Sequence, residues 1–223
     1  MSPFVRSSRF RTFLWPILAW VLALLFFFPI FWMVLTSFKT DADAVKPEFL
    51  FFFTPTLENY FNMTENYDYW RFALNSGITS VFATLFTLFV GVPAAYAMAF
   101  NPSRHTKDIL VWMLSTKMLP AAAVLYPMTF LTKNMLGLFD THFLVILVLS
   151  LINLPIVIWM LFTYFKEIPK EIIEAGKMDG VSYWGEMGDI VLPLAWAGLA
   201  STALLCFIFC WNEAYWTVRL TTT

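Results

Sequence analysis

Charged and metal-binding side chains are scarce in this chain. Lysine, arginine, aspartate and glutamate together make up 13% of its 223 residues, and there are only two histidines and two cysteines. Cys206 and Cys210 are spaced i, i+4 in an apolar stretch, where we interpret them as small packing residues. No His/Cys/Asp cluster has the spacing of a metal site, and no G-x-S-x-G nucleophile motif occurs. The sequence therefore argues against an enzyme, and we expect no catalytic residue, metal or cofactor.

Phosphate-binding and nucleic-acid-binding signals are also missing. The sequence contains no G-x-x-x-x-G-K-[ST] loop, so we expect any ATP to be handled by another chain. Fourteen basic residues are balanced by fifteen acidic ones, which gives a net charge of −1. This balance indicates no nucleic-acid partner.

Hydrophobic side chains dominate the composition. They account for 60% of the residues, which is more apolar surface than a water-soluble domain of this size can bury. Five apolar segments reach the roughly 20 residues that a spanning helix needs, and they lack the period-2 alternation of strands. The segments are residues 13–37, 74–100, 109–131, 143–165 and 193–217. The sequence predicts an all-α integral membrane protein with a single transmembrane domain over residues 1–223.

The distribution of basic residues predicts the orientation. With the N-terminus in the cytoplasm, eight Lys and Arg side chains face the cytoplasm and five face the outside. The cytoplasmic set is Arg6, Arg9, Arg11, Arg104, Lys107, Lys166, Lys170 and Lys177. The first segment is too long for a signal peptide, so we expect it to be an anchor.

An acidic and aromatic loop, residues 38–72, follows the first segment and is predicted to lie outside. Its aromatic side chains are typical of an interfacial belt or of a docking surface for an external partner. Sequence alone leaves both interpretations open.

Five prolines interrupt the apolar segments, and each removes an intrahelical hydrogen bond. They are Pro29, Pro93, Pro120, Pro127 and Pro155. Together they predict helices that bend around a pathway.

A short polar insert between the fourth and fifth segments carries the most specific pattern. Its positions at fixed spacing are Glu174, Ala175, Gly176, Gly180, Ile190, Leu192 and Pro193. Pro169 fits the start of a helix, Gly180 the left-handed position after its end, and Ser182 the cap of a second helix. We predict a cytoplasmic helix–turn–helix, here called the knob, over residues 167–193, with Pro193 opening the last membrane segment.

One face of the first knob helix is expected to be small and exposed. The residues spaced to share it are Ile172, Ala175, Gly176 and Asp179. Ala175 and Gly176 would leave room for a partner's backbone, while Glu174 offers an acceptor-only charge. Without the full spacing these residues would indicate only an amphipathic linker.

The seven-position pattern resembles the cytoplasmic EAA loop of carbohydrate-type ABC importer permeases, such as the smaller membrane subunit of the maltose transporter. The resemblance implies that Glu174, Ala175 and Gly180 seat in a cleft of a separate ATPase subunit. Glu186 lies outside the pattern, so we expect Glu186→Ala to weaken ATPase association much less than changes at Glu174 or Gly180. Gly176 stands where alanine is usual in that family. The family plan has six spanning helices, so a chain with five looks like a C-terminally incomplete version.

The resemblance also implies that the chain lies in the lipid bilayer of the bacterial inner membrane and works with several protein partners. These are a second permease subunit that completes a heterodimer, two ATP-binding subunits that use ATP and Mg, and a periplasmic or extracellular solute-binding protein. No nucleic acid is expected among them.

Residues 115–120 and 204–214 resemble permeases for sugar alcohols such as mannitol and sorbitol. Lys117 and Glu213 are the ionisable residues nearest to membrane depth, where a charge usually faces a water-filled cavity or a partner. The other interpretation is that Lys117 snorkels or pairs structurally and that Glu213 lies near the outer interface. The candidate pathway residues are Lys117, Trp211, Asn212, Glu213 and Tyr215.

The predicted function is a permease subunit of an ATP-driven importer for sugar alcohols or related sugars. The alternative is a proton- or ion-coupled secondary transporter of small polar solutes. A proton relay ordinarily needs several buried carboxylates or histidines, and the apolar segments supply too few.

Overall fold

Helices make up most of the chain. The structure, a computed structural model, describes residues 6–46 and 51–221, and no strand occurs in those ranges. The helices are α1 Arg6–Ser37, α2 Asp41–Ala44, α3 Glu58–Asn66, α4 Tyr69–Phe100, α5 Thr106–Thr116, α6 Ala121–Phe130, α7 His142–Lys166, α8 Lys170–Met178, α9 Tyr183–Gly185, α10 Leu192–Leu194, α11 Trp196–Trp211 and α12 Tyr215–Leu220. Two π-helical turns, Leu131–Met135 and Glu186–Val191, extend α6 and join α9 to α10.

Within residues 6–46 and 51–221, three helices are long and apolar enough to cross a membrane without a break. They are the Leu14–Ser37 part of α1, α4 and α7. Two more spans are formed if helices joined by a sharp bend are counted together: α5 with Ala121–Met135, bent by 86°, and Tyr183–Leu194 with α11, bent by 84°. Each of the five overlaps a predicted segment. The prediction of an all-α membrane protein is confirmed, but two of its segments are bent.

Only one of the five predicted proline kinks coincides with a sharp bend in the described residues. Pro120 has an extended backbone, with ψ of 123°, and separates α5 from α6. The other four lie inside helices that continue through them, as neighbouring groups in membrane helices allow; they are Pro29, Pro93, Pro127 and Pro155.

The last membrane segment differs from its prediction at both ends. Pro193 belongs to the short helix α10, and the 84° bend lies between Tyr183–Leu194 and the start of α11 at Trp196. The segment does not continue to residue 217, because α11 ends at Trp211 and α12 begins separately. Hydropathy alone predicted one long helix, because the residues on both sides of each break are apolar and the hydropathy pattern does not show where a helix ends.

The chain divides into two compact units, Met1–Arg71 and Phe72–Thr223. In the first unit the amide of Asn59 donates to the carbonyls of Ser37, at 3.2 Å, and Lys39, at 2.7 Å. These hydrogen bonds attach the C-terminal end of α1 to α3 and satisfy carbonyl groups that have no partner within α1. The Lys39 side chain is buried, with its Nζ 4.1 Å from the centre of the Trp32 ring. The residues that follow α1, up to Lys39, are therefore held in place by α3.

In the second unit α7 packs against α5, α11 and α12. Small residues on α4 allow a close approach of α7: Ser150 Oγ donates to the carbonyl of Ala83 at 3.1 Å, and Thr87 Oγ1 donates to that of Ser150 at 3.4 Å. A Cβ added at Gly91 would lie 3.0 Å from Val157. Small residues and interhelical hydrogen bonds of this kind drive helix packing in membranes.

Candidate functional site

The turn of the knob is built by main-chain hydrogen bonds around Gly180. This glycine has φ of +78°, a conformation that glycine adopts without Cβ strain. Its N–H donates to the carbonyl of Lys177 at 3.1 Å, and the N–H of Val181 donates to the carbonyl of Gly176 at 3.1 Å. This pair of bonds is a Schellman motif, which ends α8 as the sequence predicted.

The second half of the knob is longer than predicted. Ser182 Oγ accepts a hydrogen bond from the N–H of Gly185 at 3.3 Å, so the predicted cap is present. The helix then continues from α9 through the π-helical turn Glu186–Val191 into α10. The knob is therefore connected to α11 by one continuous helix, Tyr183–Leu194, up to the bend.

The first knob helix, α8, separates buried from exposed motif residues. Glu174, Ala175 and Asp179 are exposed, whereas Ile173 and Gly176 are buried. Within residues 6–46 and 51–221 the Glu174 carboxylate takes part in no hydrogen bond or ion pair. Its acceptor capacity is therefore open to another molecule.

Gly176 does not lie on the exposed face as predicted. A Cβ added there would come 2.7 Å from Cδ1 of Ile190, so the missing side chain gives space to the knob's own second half. The spacing of residues on α8 does not reveal which face this second half covers. Ala175 is the small motif residue that remains at the surface.

Glu186, which lies outside the motif, is a buried residue of the knob. Its side chain is 1% exposed, and its Oε1 accepts a hydrogen bond from the hydroxyl of Tyr96 in α4 at 2.5 Å. Replacing Glu186 by alanine would leave the buried Tyr96 hydroxyl without this hydrogen-bond partner, so the change should lower the stability of the fold. The partner of Glu186 lies 90 residues away in the chain, which no local pattern indicates.

A second set of predicted residues meets at a cavity of about 390 Å³, here called the polar cavity. Lys117, in the break between α5 and α6, and Glu213, in the turn before α12, both line it. Thr116 and Trp216 also contribute, and the remaining wall is apolar: Leu119, Ala121, Val124, Met128, Val148, Leu151 and Ile152. A few polar groups in a mainly apolar wall are typical of a small-molecule site.

The two charges of the polar cavity are held by separate partners. Lys117 Nζ donates to Oδ1 of Asn153 at 3.2 Å and lies 5.5 Å from the centre of the Phe209 ring. Asn153 is buried, and its amide donates to the carbonyl of Leu149 at 3.0 Å. These contacts fix the ammonium group beside the cavity.

The Glu213 carboxylate has its own main-chain partners. It accepts hydrogen bonds from the N–H groups of Tyr215, at 3.0 Å, and Trp216, at 3.3 Å, and so caps α12. In the part of the chain that the structure describes, Glu213 and Lys117 form no ion pair with each other.

Comparison with known proteins decides the family. Residues 91–222 match the family model described as the binding-protein-dependent transport system inner membrane component. The chain belongs to this family. It is 32% identical over 217 residues to the probable ABC transporter permease protein y4oR of Sinorhizobium fredii, covering 97% of this chain and 78% of that protein.

Two further matches agree with this permease assignment. The trehalose/maltose transport system permease protein MalG of Thermococcus litoralis is 31% identical over 205 residues, covering 91% of this chain and 73% of that protein. A crystal structure of a bacterial ABC transporter involved in the import of the acidic polysaccharide alginate superposes with a TM-score of 0.79 at 25% identity, covering 100% of this chain and 78% of that one.

Membership of this family makes the protein a multi-pass membrane permease subunit and not an enzyme. It implies, in general terms, a partner permease, an ATPase and a substrate-binding protein. The alternative of a proton- or ion-coupled secondary transporter is not favoured.

The structure brings together two of the five pathway residues predicted in the permease. Lys117 and Glu213 line the polar cavity, whereas Trp211, Asn212 and Tyr215 are exposed and do not. Trp211 packs on Phe207 with 5.8 Å between ring centres, and the amide of Asn212 donates to the carbonyl of Ile208 at 2.9 Å. Although these three residues are close to Glu213 in sequence, they do not line the cavity that Glu213 lines.

Two residues of the polar cavity region were missed by sequence reasoning. Asn153 is a carboxamide in the middle of the strongly apolar helix α7, and a polar side chain at that depth is itself a functional signal. Trp216 gave no comparable signal, because aromatic residues are common near membrane interfaces.

Proposed function

We propose that this permease forms half of the translocation pathway of an ATP-driven importer for sugar alcohols or related sugars, with the knob as its contact to the ATPase. The observation that carries the proposal is the exposed pair Glu174 and Ala175 on a helix whose direction is fixed by Gly180. Since the carboxylate takes part in no hydrogen bond within residues 6–46 and 51–221, it can accept hydrogen bonds from a second protein.

The mechanism is alternating access. ATP and Mg bind to a pair of ATP-binding subunits, which close and displace the knob. The continuous helix Tyr183–Leu194 carries this displacement to the bend before α11, and α11 packs directly on α7. A second permease subunit completes the heterodimer, and an external solute-binding protein delivers the ligand. This chain binds no cofactor of its own.

The orientation belongs to the same proposal, with the N-terminus and the knob in the cytoplasm. Its support is the excess of Lys and Arg on one side of the predicted spans. In a background without Cys206 and Cys210, single cysteines at the exposed positions Ser103 and Ser182 should react with impermeant thiol reagents only from inside. A cysteine at Thr64 should react only from outside, and the reverse pattern would overturn the orientation.

The substrate class rests on the chemistry of the polar cavity. Lys117 supplies donors, Glu213 supplies acceptors, and Thr116 supplies a hydroxyl beside an apolar wall. This combination suits a polyhydroxylated ligand with little net charge, because donors and acceptors are both present. The similarity of residues 115–120 and 204–214 to sugar-alcohol permeases narrows the proposal to a linear polyol.

Uptake by the reconstituted complex tests both the proposed substrate class and the proposed ATP-driven mechanism. With ATP inside the vesicles, labelled mannitol or sorbitol should accumulate, and an imposed proton gradient without ATP should give none. Unlabelled maltose should compete less well than either polyol. Displacement of the label by maltose and not by the polyols would reject the substrate class, and uptake driven by the proton gradient alone would reject the ATP-driven mechanism.

A further inference from the structure

One hydrogen bond joins the knob to the long helix α4. It runs from the hydroxyl of Tyr96 to Oε1 of Glu186 at 2.5 Å, and the two residues are only 6% and 1% exposed. Removing the tyrosine hydroxyl at such burial takes a hydrogen bond from a carboxylate that is largely withdrawn from solvent, which is costly.

The knob also contacts the helix core through apolar side chains. Ile173 and Val191 are buried in the core, and Met187 packs against it. Apolar contacts are non-directional and tolerate sliding of one surface over another. The bond between Tyr96 and Glu186 is directional, so it fixes the register between the knob and α4.

Tyr96 is itself held on the helix core. Its ring packs on Phe100 with 5.2 Å between ring centres, and Phe100 stacks on Phe165 of α7 at 6.5 Å. At the other end of the bond, Glu186 begins the π-helical turn Glu186–Val191, a type of turn that is frequent at functional sites. The bond therefore connects a rigid aromatic cluster to the irregular part of the knob.

We propose that Tyr96 and Glu186 form a latch that makes α4 follow the knob when the ATPase moves it. The inference rests on the proposed coupling function of the knob. Both are positioning residues, since Tyr96 and Glu186 act on each other and line no part of the polar cavity. Without the latch, the knob moves on the ATPase while α4 stays behind.

The experiment measures the distance between α4 and the knob in the assembled transporter. Spin labels are placed at Phe89 on α4 and Lys170 on α8, both exposed, after Cys206 and Cys210 are replaced by alanine. Distances are recorded before and after the ATPase is trapped closed with a non-hydrolysable nucleotide. The latch predicts one distance that nucleotide leaves unchanged.

Three variants break or keep the bond. Tyr96→Phe removes the donor and Glu186→Leu removes the acceptor, and each should produce a second, shifted distance only after nucleotide is added. Glu186→Gln keeps an acceptor oxygen and should retain the single distance. The matched control is Tyr164→Phe, which removes a hydroxyl bond of 3.2 Å to Ser201 between α7 and α11, and it should behave as the original chain.

The outcomes separate the latch from the knob's coupling function. If Tyr96→Phe keeps a single, nucleotide-independent distance, the latch is overturned, and the same holds if Tyr164→Phe shows an equal change. Should Glu186→Leu fail to accumulate, Tyr96→Phe alone decides. Co-purification of the ATPase is measured in parallel: its persistence in Glu174→Lys would overturn the proposed coupling function instead.

Discussion

The knob and the polar cavity are assembled in opposite ways. The knob takes its motif from one short stretch of chain, and its charged group, Glu174, is exposed. The polar cavity takes Lys117 and Glu213 from separate parts of the fold, and each already has a hydrogen-bond partner, which for Lys117 is Asn153 of α7. An exposed charged group without an internal partner suits contact with another protein, whereas groups held beside a cavity suit a small ligand.

This difference predicts different consequences of mutation. A change in the knob should weaken association with the ATPase and leave the membrane helices folded. A change in the polar cavity should reduce transport and leave that association intact. The predictions below test this division, beginning with the largest expected effect.

Gly180→Val should have the largest effect. A β-branched residue at φ of +78° costs about 1–3 kcal/mol of strain, and relieving that strain redirects the whole second half of the knob. We expect the permease to insert in the membrane but to lose co-purification of the ATPase by roughly a hundredfold in apparent affinity.

Gly188→Val is the matched control for that change. Gly188 is exposed in the π-helical turn, has no positive φ, and has no atom within 4 Å of an added Cβ. It should keep most of the ATPase association. Equal losses in the two variants would show that the left-handed turn is not what matters.

Glu174→Lys should have the next largest effect. Reversing a charge that accepts hydrogen bonds across an interface costs about 2 kcal/mol or more, which is roughly a 30-fold loss of ATPase affinity. The stability of the permease should not change, because Glu174 is exposed. Quantitative pull-down with purified ATPase measures its affinity for the original permease and for the Glu174→Lys variant.

Glu171→Lys provides the comparison on the same helix. Glu171 is also exposed on α8, about one turn before Glu174. The same charge change there should cost at least several-fold less affinity. If Glu171→Lys is as damaging as Glu174→Lys, the contact depends on the net charge of the knob and not on the motif position.

Asn153→Leu tests the polar cavity. Leucine removes the acceptor of Lys117 without a large change in volume, and a hydrogen bond to a charged group contributes about 1.5–3 kcal/mol. We expect the rate of uptake to fall about tenfold while the ATPase still co-purifies.

Asn212→Leu distinguishes the cavity from the original sequence-based pathway. Asn212 was predicted to line the pathway, but its amide bonds to the carbonyl of Ile208 and it does not line the polar cavity. The Asn212→Leu variant should reduce uptake far less than the Asn153→Leu variant does. The reverse order would move the pathway to the exposed end of α11.

The smallest effect is expected at the ion pair in the loop 38–72. The hydrogen bond from Lys46, at 2.6 Å, lowers the pKa of Asp43 below its ordinary value of 3.8. A carboxylate whose pKa is lowered in the folded state stabilises the fold at pH values above its ordinary pKa. That contribution is lost as the pH falls through the lowered pKa. Because this pair is solvent-exposed, Asp43→Asn should leave the melting temperature and ATPase association at pH 7 unchanged within error.

The same contrast explains what sequence could predict. The turn at Gly180 and the cap at Ser182 were predictable because both depend on backbone conformations set by neighbouring residues. The buried position of Gly176 and the bond between Tyr96 and Glu186 were not, because both depend on which element packs against the knob. Hydropathy located the membrane segments, and Pro120 indicated the sharp bend at residues 117–120, but no proline or glycine stands at the bend at residue 195.

Site-specific cross-linking from Ala175 tests the central claim most directly. In a background without Cys206 and Cys210, a cysteine at this exposed position is treated with a short thiol cross-linker in the complete transporter, with a cysteine at Phe52 in the exposed part of the loop 38–72 as reference. The account predicts an adduct between residue 175 and the ATPase subunit and none from residue 52. An ATPase adduct from residue 52 with none from residue 175 would contradict it.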